Sequence, residues 1–457
     1  MEIYDGIIVG AGTSGSYLGR RLAEKGFKIL IIDKLPKEEI GNKYDIVHIQ
    51  KRDFDRFKLP EPEEGDDYAF EFSATAAYSA FGNHPKRGSN PTVGLRLHRY
   101  TLRLNRWAEA AGAEIKYGAA FKDFIFEDGM IKGIIYSEAG EERKAYGKIV
   151  ADCSGIPSVA RRRLPEGYGV ENFEIGPDEM FYVILRYVRY LDEKDYLNGS
   201  RSWVYYKTWE APQLDSKGAI LGIGANLGYE HAERIFKEFT KRIALPRHEL
   251  ERVEKGRTPY RRPPYSFVAD NFLVTGDAAC LTKPHAGEGI TSSMVQIDIA
   301  VKCITKLLKS NKPLSKENLW PINKEYVVVQ GRAYAAMLAT LIGAVSTSPE
   351  ENEFFFEHDV IFNAKSFAAM AEDKELRYSL PEMLRMASVL IRGVLRGKVR
   401  FKTLRSLIRA MKNGSRISKH YGKYPCEQER FPAWARKSDR LWERAGSMAA
   451  ALKEMTK

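Results

Sequence analysis

The segment of residues 5–34 carries the pattern that most constrains how this chain can fold. An apolar run enters the motif Gly10-Ala-Gly12-Thr-Ser-Gly15, a helical pattern follows, and a second apolar run ends at Asp33. This βαβ context predicts a dinucleotide site, in which Gly10 makes a tight turn, Gly12 admits a pyrophosphate and Gly15 lets the helix pack against the strand. Asp33 would then bind a ribose hydroxyl, with the phosphates at the helix N-terminus.

The pattern changes after this first unit. A helix is predicted from about Arg99 to Ala111, and short alternating runs separated by turns then predict a β-meander. Aromatic-rich runs over residues 180–230 indicate a second, mostly antiparallel sheet, and from about residue 290 the pattern is helical. We therefore predict an α/β fold with a Rossmann-like domain, a β-meander, an antiparallel-sheet domain and a helical C-terminal region.

Composition narrows the class of protein. The 457 residues have a hydrophobic fraction of 44%, which is typical of a folded chain rather than a disordered one. The four cysteines form no Cys-x-x-Cys pair, so we expect neither a disulfide scaffold nor a metal site. The first strand follows the N-terminus without a basic leader, which argues against a secretory signal. The most apolar helical window, Tyr334–Val345, is shorter than the roughly 20 residues of a membrane span, and we expect a buried helix there.

Positive charge is concentrated in the C-terminal region. Residues 374–457 contain 21 basic and 7 acidic residues, whereas the rest of the chain has 51 basic and 53 acidic ones. Between Arg385 and Lys423 there are twelve Lys and Arg residues and no acid. Gly393 and Gly397 are expected to divide this segment into two helices. Apolar residues lie near helical spacing within it: Leu390, Ile391, Val394, Leu395, Leu404, Leu407 and Ile408.

Such basic amphipathic helices can lie on an anionic membrane surface or hold a phosphate-bearing head group. The alternative is a set of packing helices whose charges face solvent. Nucleic-acid binding is not expected, because no base-reading module is visible.

Three motifs in combination carry a family resemblance. Beside the N-terminal glycine motif, Asp152-Cys-Ser-Gly155 follows a strand, and Gly276-Asp277-Ala-Ala is followed by Pro284 and residues 287–289, Gly-Glu-Gly. Together they resemble the FAD oxidoreductases of the para-hydroxybenzoate hydroxylase fold. Within that group the chain most resembles the geranylgeranyl reductases, especially the archaeal enzymes that saturate the isoprenoid chains of membrane lipids.

The resemblance implies an FAD cofactor and a role for each motif. Asp277 would bind a ribityl hydroxyl, and the backbone near Gly289 and Ile290 would stabilise negative charge on the reduced flavin. Simpler interpretations are a helix cap for Asp277, a strand-end turn for Asp152 and a solvated surface position for Arg99. The implied cofactor-binding residues are Gly10, Gly12, Thr13, Ser14, Gly15, Asp33, Lys34, Arg99, Ala120, Asp152, Gly155, Gly276, Asp277, Pro284, Gly287, Gly289 and Ile290.

The resemblance also divides the chain into domains. The predicted boundaries are residues 1–50, 96–170 and 255–330 for the FAD-binding domain, 51–95 and 171–254 for the substrate-binding domain, and 331–457 for the helical region.

The chain departs from the family in two places. The family's Tyr-x-Trp-x-Phe-Pro signature is altered to residues 206–212, Tyr-Lys-Thr-Trp-Glu-Ala-Pro, in which the Tyr is displaced by one position. Tyr205, Tyr206 and Trp209 are predicted to wall an apolar substrate tunnel, although sheet packing would equally account for them. The cysteine that the archaeal enzymes carry after the second strand is absent from residues 41–48. Either the catalytic details or the substrate therefore differ.

The resemblance implies a reductase that saturates C=C bonds of geranylgeranyl or related chains. Hydride would come from reduced flavin N5 and a proton from His48, Tyr206 or His285. The expected partners are an isoprenoid lipid or polyprenyl diphosphate and a transient electron donor, a ferredoxin-like protein or NAD(P)H. The glycine run at residues 222–228 lacks the acid-ended second strand of a separate NAD(P) domain.

Other functions of the same fold are also compatible with the sequence. They are a flavin monooxygenase or halogenase, although the sequence shows no lysine context typical of a halogenase, and a lipid-binding flavoprotein with altered chemistry. We expect a cytoplasmic protein that can attach to the inner face of the membrane.

Overall fold

A computed structural model describes most of the chain and confirms the predicted α/β class. The described residues are 3–41, 46–204, 206–213, 217–345, 347–372 and 378–455. The strands are β1 (Ile3–Tyr4), β2 (Gly6–Val9), β3 (Ile29–Asp33), β4 (Ile46–Gln50), β5 (Tyr68–Tyr78), β6 (Lys86–Arg96), β7 (Glu114–Tyr117), β8 (Ala119–Glu127), β9 (Met130–Glu138), β10 (Glu141–Gly147), β11 (Val150–Asp152), β12 (Met180–Tyr190), β13 (Gly199–Trp203), β14 (Lys207–Pro212), β15 (Gly218–Ala225), β16 (His248–Pro259), β17 (Val268–Ala269) and β18 (Phe272–Val274).

The α-helices surround the sheets and make up the C-terminal region. They are α1 (Thr13–Ala23), α2 (Lys51–Phe57), α3 (Leu97–Ala110), α4 (Tyr229–Arg242), α5 (Ile290–Lys309), α6 (Lys316–Leu319), α7 (Pro321–Tyr326), α8 (Arg332–Ala344), α9 (Pro349–Glu357), α10 (Ala364–Ala371), α11 (Leu380–Leu395), α12 (Phe401–Tyr421), α13 (Phe431–Ala445) and α14 (Met448–Met455).

A six-stranded sheet in the order β17-β18-β11-β2-β3-β7 organises the N-terminal fold. Its strands pair in parallel except for β17 with β18. Val9 at the end of β2 is in register with Asp152 at the end of β11, and Asp152 is in register with Val274 of β18. The three motifs seen in the sequence therefore meet at one carboxyl edge, where α/β sheets bind their ligands.

The predicted β-meander forms a four-stranded sheet in the order β1-β10-β9-β8. The larger, eight-stranded sheet has the order β16-β12-β15-β14-β13-β5-β6-β4, and its longest pairing joins β12 to β16. It includes the long β5–β6 hairpin as well as the aromatic-rich strands. The domain boundaries stay a prediction, with β4 placed just before the predicted limit at residue 50 and paired with β6 of this sheet.

The C-terminal helices are longer than the sequence pattern indicates. Helices α6 to α8 form one run, Lys316–Ala344, through a π-helical turn at Val327–Gly331. Among the described residues this run alone is long and apolar enough to cross a membrane, and half of its most apolar window is buried inside the molecule. The expectation of a helix too short to span is therefore wrong in length, and the expected buried helix is only half buried.

The predicted break in the basic segment lies at one glycine and not at two. Helix α11 ends at Leu395, and Gly397 follows with a φ of +68°. Gly393 instead lies inside α11, where an added Cβ would come within 2.9 Å of the Phe354 ring. Gly393 thus permits close packing, and the prediction that it breaks the helix is wrong.

Candidate functional site

A cavity of about 1620 Å³ extends from the carboxyl edge of the six-stranded sheet to the eight-stranded sheet and the C-terminal helices. It begins at the glycine motif of the β2–α1 turn and passes between the loop at residues 284–290 and strand β14. It then reaches Phe362 and Phe367 in the helical region. Ligand cavities in proteins are usually about 300–1,000 Å³, so this one has room for more than a single small molecule.

The three glycines of the N-terminal motif differ in what surrounds them. Gly10 has a φ of +112°, and an added Cβ would lie 2.4 Å from the carbonyl oxygen of Cys153. A Cβ on Gly15 would lie 1.8 Å from the carbonyl oxygen of Gly10. A Cβ on Gly12 would meet no atom within 4 Å, because Gly12 faces the cavity at the start of α1. The open space at a helix N-terminus fits a pyrophosphate.

Asp33 closes the same turn from the end of β3. Its carboxylate accepts hydrogen bonds from the Ala11 backbone N–H at 2.8 Å and the Leu35 backbone N–H at 2.9 Å. Asp33 also lines the cavity, together with Lys34. The acid is thus fixed at the position from which a ribose hydroxyl is bound in dinucleotide folds.

Asp152 is fully buried and organises the second motif from behind. Its carboxylate accepts hydrogen bonds from the Ser154 backbone N–H and hydroxyl at 2.9 and 2.6 Å and from the Arg161 backbone N–H at 2.6 Å. Burial raises the pKa of Asp152, and these donors oppose that effect. Gly155 lines the cavity in front of it. Asp152 therefore holds the loop, and the other three members of this motif, Cys153, Ser154 and Gly155, line the cavity.

The third motif places an acid beside a glycine. Gly276 has a φ of +66° and faces the Ser14 hydroxyl, which would lie 2.8 Å from an added Cβ. Asp277 lines the cavity, and its Oδ1 would lie 3.1 Å from a Cβ on Gly289. A side chain at position 289 would crowd this carboxylate. The motif thus presents an acid and the N-terminus of α5 to the same space.

The structure brings most of the predicted cofactor residues to one cavity. Gly15, Asp152 and Gly276 lie behind its lining, and Arg99 is exposed on α3 and does not line it. Arg99 therefore has the solvated surface position that was the simpler interpretation of this residue. The predicted residues that line the cavity are Gly10, Gly12, Thr13, Ser14, Asp33, Lys34, Ala120, Gly155, Asp277, Pro284, Gly287, Gly289 and Ile290.

The three predicted proton donors line the cavity but differ in their surroundings. The His48 ring lies edge-on to Phe72 at 5.5 Å, and burial lowers the pKa of His48 to about 4. His48 is therefore a neutral imidazole near pH 7 and not the imidazolium that would donate a proton readily. Burial raises the pKa of Tyr206, which packs edge-on against His231 at 5.3 Å. His285 contacts Met337, with 3.0 Å between Nδ1 and Sδ.

Trp209 both lines the cavity and packs in the sheet, which are the two roles predicted for it as alternatives. It lines the cavity, and its indole lies flat against Gly222 of the neighbouring strand, where an added Cβ would be 2.1 Å from the ring. Tyr206 also lines the cavity. Tyr205, the third predicted substrate residue, lies outside the described residues.

Sequence reasoning missed a cluster of charges in the middle of the cavity. Lys207, at the start of β14, places its ammonium 5.3 Å from the Trp209 ring centre and 5.9 Å from that of Phe181. The nearby Lys283 Nζ lies 3.5 Å from Glu288 Oε2. A signal was present, because Lys207 stands two residues before Trp209, where the family signature has its Tyr.

The charged groups of this cluster shift one another's pKa values. Burial lowers the pKa of Lys207 to about 8, with Glu288 raising it and Lys283 lowering it. Burial acts to raise the pKa of Glu288, but Lys283, Lys207 and two histidines outweigh it and leave that pKa below its ordinary value. Glu288 is therefore a carboxylate near neutral pH, and Lys207 is an ammonium that releases its proton only slightly above pH 7.

Comparison with known proteins agrees with this geometry. Residues 8–55 match a family model of NAD(P)-binding Rossmann-like domains. A digeranylgeranylglycerophospholipid reductase of Sulfolobus acidocaldarius is 25% identical over 96% of this chain and 97% of its own length. The corresponding protein of Methanocella arvoryzae is 24% identical over 68% of this chain and 80% of its own length. The chain resembles geranylgeranyl reductases along nearly its whole length.

Solved structures show the same fold. A geranylgeranyl bacteriochlorophyll reductase-like protein of Thermoplasma acidophilum superposes with a TM-score of 0.71 at 17% identity, covering 87% of this chain and 100% of its own. A p-nitrophenol 4-monooxygenase of Pseudomonas putida gives 0.63 at 14% identity, covering 83% of this chain and 100% of its own. A myxobacterial chondrochloren halogenase, described as FAD-dependent, gives 0.60 at 15% identity, covering 92% and 99%.

These comparisons confirm the predicted resemblance to geranylgeranyl reductases and the prediction of an FAD-type oxidoreductase.

Proposed function

We propose that this chain is an FAD-dependent reductase that saturates C=C bonds in the isoprenoid chains of lipids. The observation that supports it most is one cavity that joins a dinucleotide-type phosphate cradle to an apolar compartment. Beyond the glycine motif, the lining passes to Leu185 and Ile220 on the eight-stranded sheet and to Leu341 and Phe367 on the helices. A long apolar chain fits such a compartment, and the Sulfolobus relative bears the name of an enzyme that reduces geranylgeranyl lipids.

Different residues of the cavity would bind different parts of the cofactor and the substrate. Gly12 and the N-terminus of α1 would receive the pyrophosphate, Asp33 a ribose and Asp277 the ribityl chain. Bound FAD supplies the hydride for the reduction once a donor has reduced it. The backbone at Gly289 and Ile290 would stabilise negative charge there through the N-terminus of α5. The apolar lining holds the alkene and excludes water, which matters because an unactivated alkene is a poor hydride acceptor.

A transient partner would provide the electrons, either a ferredoxin-like protein or NAD(P)H. The glycine run at residues 222–228 does not form a second dinucleotide unit, because it ends β15 of the antiparallel sheet and leads into α4. Gly222 and Gly224 there accommodate the Trp209 and Phe181 rings. These glycines therefore allow the two rings to pack closely against β15.

Product analysis tests the proposed reaction against the alternatives of the same fold. The holoprotein, reduced with dithionite under anaerobic conditions, is incubated with digeranylgeranylglycerol phospholipid, and the lipid is analysed by mass spectrometry. We expect each reduced bond to add two hydrogens to the lipid without oxygen. A product that forms only with oxygen would indicate a monooxygenase or halogenase, and unchanged lipid would indicate a binding protein.

We further propose that α11 and α12 dock on an anionic membrane. Both helices pack through one face, which includes Met386 and Leu407, onto the helical region. The same helices leave a second set of large apolar residues exposed, here named the outer apolar stripe. The stripe consists of Leu380, Met383, Leu384, Ile391, Leu395, Phe401, Ile408 and Met411, with exposures from 42% to 81%.

The stripe favours a membrane over simple packing. Packing helices with solvated charges would account for the inner face and for the arginines, but not for large apolar side chains left in water. Twelve Lys and Arg residues without an acid surround the stripe between Arg385 and Lys423, and this charge complements anionic lipid. The cavity is lined by Arg400, next to Phe401 of the stripe, so the substrate chain would have a short path from the bilayer.

A further inference from the structure

The cavity holds one cation at the boundary between its two parts. The Lys207 ammonium lies 3.4 Å from the Cβ position of Gly287, in the loop that the family resemblance sets against the isoalloxazine. The ammonium also lies 5.3 Å from the Trp209 ring centre and 5.9 Å from that of Phe181, and both rings line the cavity. A group placed here faces both the cofactor loop and the substrate compartment.

Aromatic rings next to Lys207 pack closely against the sheet and the neighbouring loop. The Phe181 ring fills the space above Gly224, the residue in register with Lys207 on β15, where an added Cβ would be 2.1 Å from the ring. Tyr260 packs against Phe181 with the ring centres 5.5 Å apart and the planes tilted by 31°, and its hydroxyl donates a hydrogen bond to the Pro284 carbonyl at 2.7 Å. These contacts restrict where the Lys207 chain can go.

The loop opposite Lys207 is tied into a closed turn. The Lys283 backbone N–H donates to the Glu288 carbonyl at 2.7 Å, and the Gly287 backbone N–H donates to the Lys283 carbonyl at 2.8 Å. Glu288 and Lys283 lie at the two ends of this turn, and both act on the charge of Lys207.

We propose that Lys207 is the proton donor of the reduction, acting on the alkene carbon that does not receive the hydride. This inference rests on the proposed function. One C–H bond forms with a hydride from the reduced cofactor. The other forms as an N–H bond of the Lys207 ammonium breaks, which leaves a neutral amine. After the lipid product has left, solvent returns a proton to the amine, and the Glu288 carboxylate favours the charged form.

The chemistry of the neighbouring groups supports this choice. A general acid works best when its pKa lies near the working pH. The pKa of Lys207 is lowered to about 8, whereas that of His48 is lowered to about 4 and that of Tyr206 is raised by burial. Lys207 is therefore charged at neutral pH and yet gives up a proton readily. It also stands where the family signature has a hydroxyl-bearing Tyr.

Single-turnover kinetics test the role directly. Reduced holoprotein of Lys207→Met is mixed without oxygen with the isoprenoid lipid, and flavin reoxidation is followed. We expect the rate to fall roughly 100-fold or more, the usual contribution of a general acid, with unchanged FAD content. Lys255→Met, an exposed lysine of the same sheet, is the matched control and keeps the wild-type rate.

The pH profile separates proton donation from a structural effect. An acid must be protonated to act, so the wild-type rate should fall as pH rises past about 8. Glu288→Gln removes a charge that raises the pKa of Lys207, and the fall should then begin at lower pH. Lys207→Arg keeps the positive charge but stays protonated, so it should retain FAD and fold while reducing lipid poorly.

A measurement on the apoprotein does not depend on activity. Lysines are dimethylated with isotopically labelled formaldehyde, and the NMR signal missing from Lys207→Met identifies Lys207. It should titrate near 8, whereas titration near the ordinary 10.5 would contradict the inference. If Lys207→Met keeps the wild-type rate, the inference that Lys207 donates the proton is wrong and the proposed function still stands. If the wild-type protein reduces no isoprenoid lipid, the proposed function is wrong.

Discussion

Glycines of the N-terminal motif serve two different purposes at the residue scale. Gly10 and Gly15 are required by the protein itself, because a side chain at either would strike backbone. Gly12 is required by nothing in the described protein, because its Cβ position is open. The open position is explained by a ligand. The βαβ spacing predicts all three glycines, but only the structure shows that Gly12 has an open Cβ position facing the cavity.

Gly12→Val should therefore remove FAD without unfolding the protein. The valine would occupy the space where the pyrophosphate approaches the backbone, and beyond its chain neighbours its Cβ would meet no described protein atom within 4 Å. We expect colourless protein with the melting temperature of wild-type apoprotein, because bound FAD itself stabilises the fold. Gly176→Val is a matched control, since Gly176 has an extended backbone, a φ of −75° and a Cβ position outside the cavity that meets only Glu179 Oε2 at 4.0 Å. Full flavin occupancy in Gly12→Val would show that this motif is not the FAD site.

Asp33→Ala should weaken FAD binding by less. The change removes a charged acceptor for one ribose hydroxyl, which is worth ~1.5–3 kcal/mol and corresponds to roughly a 10- to 150-fold higher dissociation constant. It also frees the Ala11 and Leu35 backbone N–H groups that Asp33 now holds. Titration of apoprotein with FAD measures the effect. Unaltered affinity would mean that Asp33 serves only the turn.

Elements with a clear period are predictable from the sequence, and others are not. Helix α1, the meander strands and the aromatic strands β12 and β15 follow their patterns. The β5–β6 hairpin does not, because its residues are mostly exposed or half-buried and include Pro91. Its stability comes from pairing with distant strands, such as β5 with β13 in parallel, and no local pattern shows such pairing.

Helix α9 shows how one buried acid fixes the helical region. Glu351 is 2% exposed and accepts hydrogen bonds from the Ser348 backbone N–H at 2.9 Å, the Arg400 backbone N–H at 2.7 Å and the Thr403 hydroxyl at 3.0 Å. Burial alone would raise the pKa of Glu351, but its hydrogen bonds from Arg400, Ser348 and Thr403 lower it. The carboxylate thus joins α9 to the start of α12.

Glu351→Gln should destabilise the protein by about 1.5–3 kcal/mol at pH 7, because bonds to a charged acceptor are lost. The folded-state pKa of Glu351 is lowered, so its contribution is present above the unfolded value and is lost as pH falls through the folded value. Denaturant unfolding at several pH values measures this. Wild type and Glu351→Gln should converge in acid, and a constant difference would contradict the assignment.

At the scale of the whole molecule, the sequence predicts the class of site but not the charges inside it. The motifs that meet at the carboxyl edge are continuous in sequence, so their roles follow from spacing. Lys207, Lys283 and Glu288 meet only because β14 and the residue 283–289 turn face each other across the cavity. The charge of the C-terminal region was visible in the sequence, whereas the outer apolar stripe needed the helices to be placed.

Vesicle sedimentation tests the membrane surface. We expect binding to anionic vesicles at low salt, weakened at high salt, because each Lys or Arg near anionic lipid contributes ~1 kcal/mol. Leu384→Gln with Leu395→Gln should reduce binding. Leu250→Gln with Val253→Gln on β16 removes exposed apolar residues elsewhere and should leave it unchanged. Binding that ignores lipid charge and salt would contradict this surface.

The most direct test of the central claim is a single anaerobic turnover. Holoprotein is reduced with one equivalent of dithionite, and its visible spectrum is recorded after addition of a geranylgeranyl lipid. The account predicts that the oxidised flavin spectrum returns with this lipid and does not return with its fully saturated analogue, which has no double bond to accept hydride. A flavin that stays reduced with both lipids, or is reoxidised equally by both, would contradict the assignment as an isoprenoid reductase.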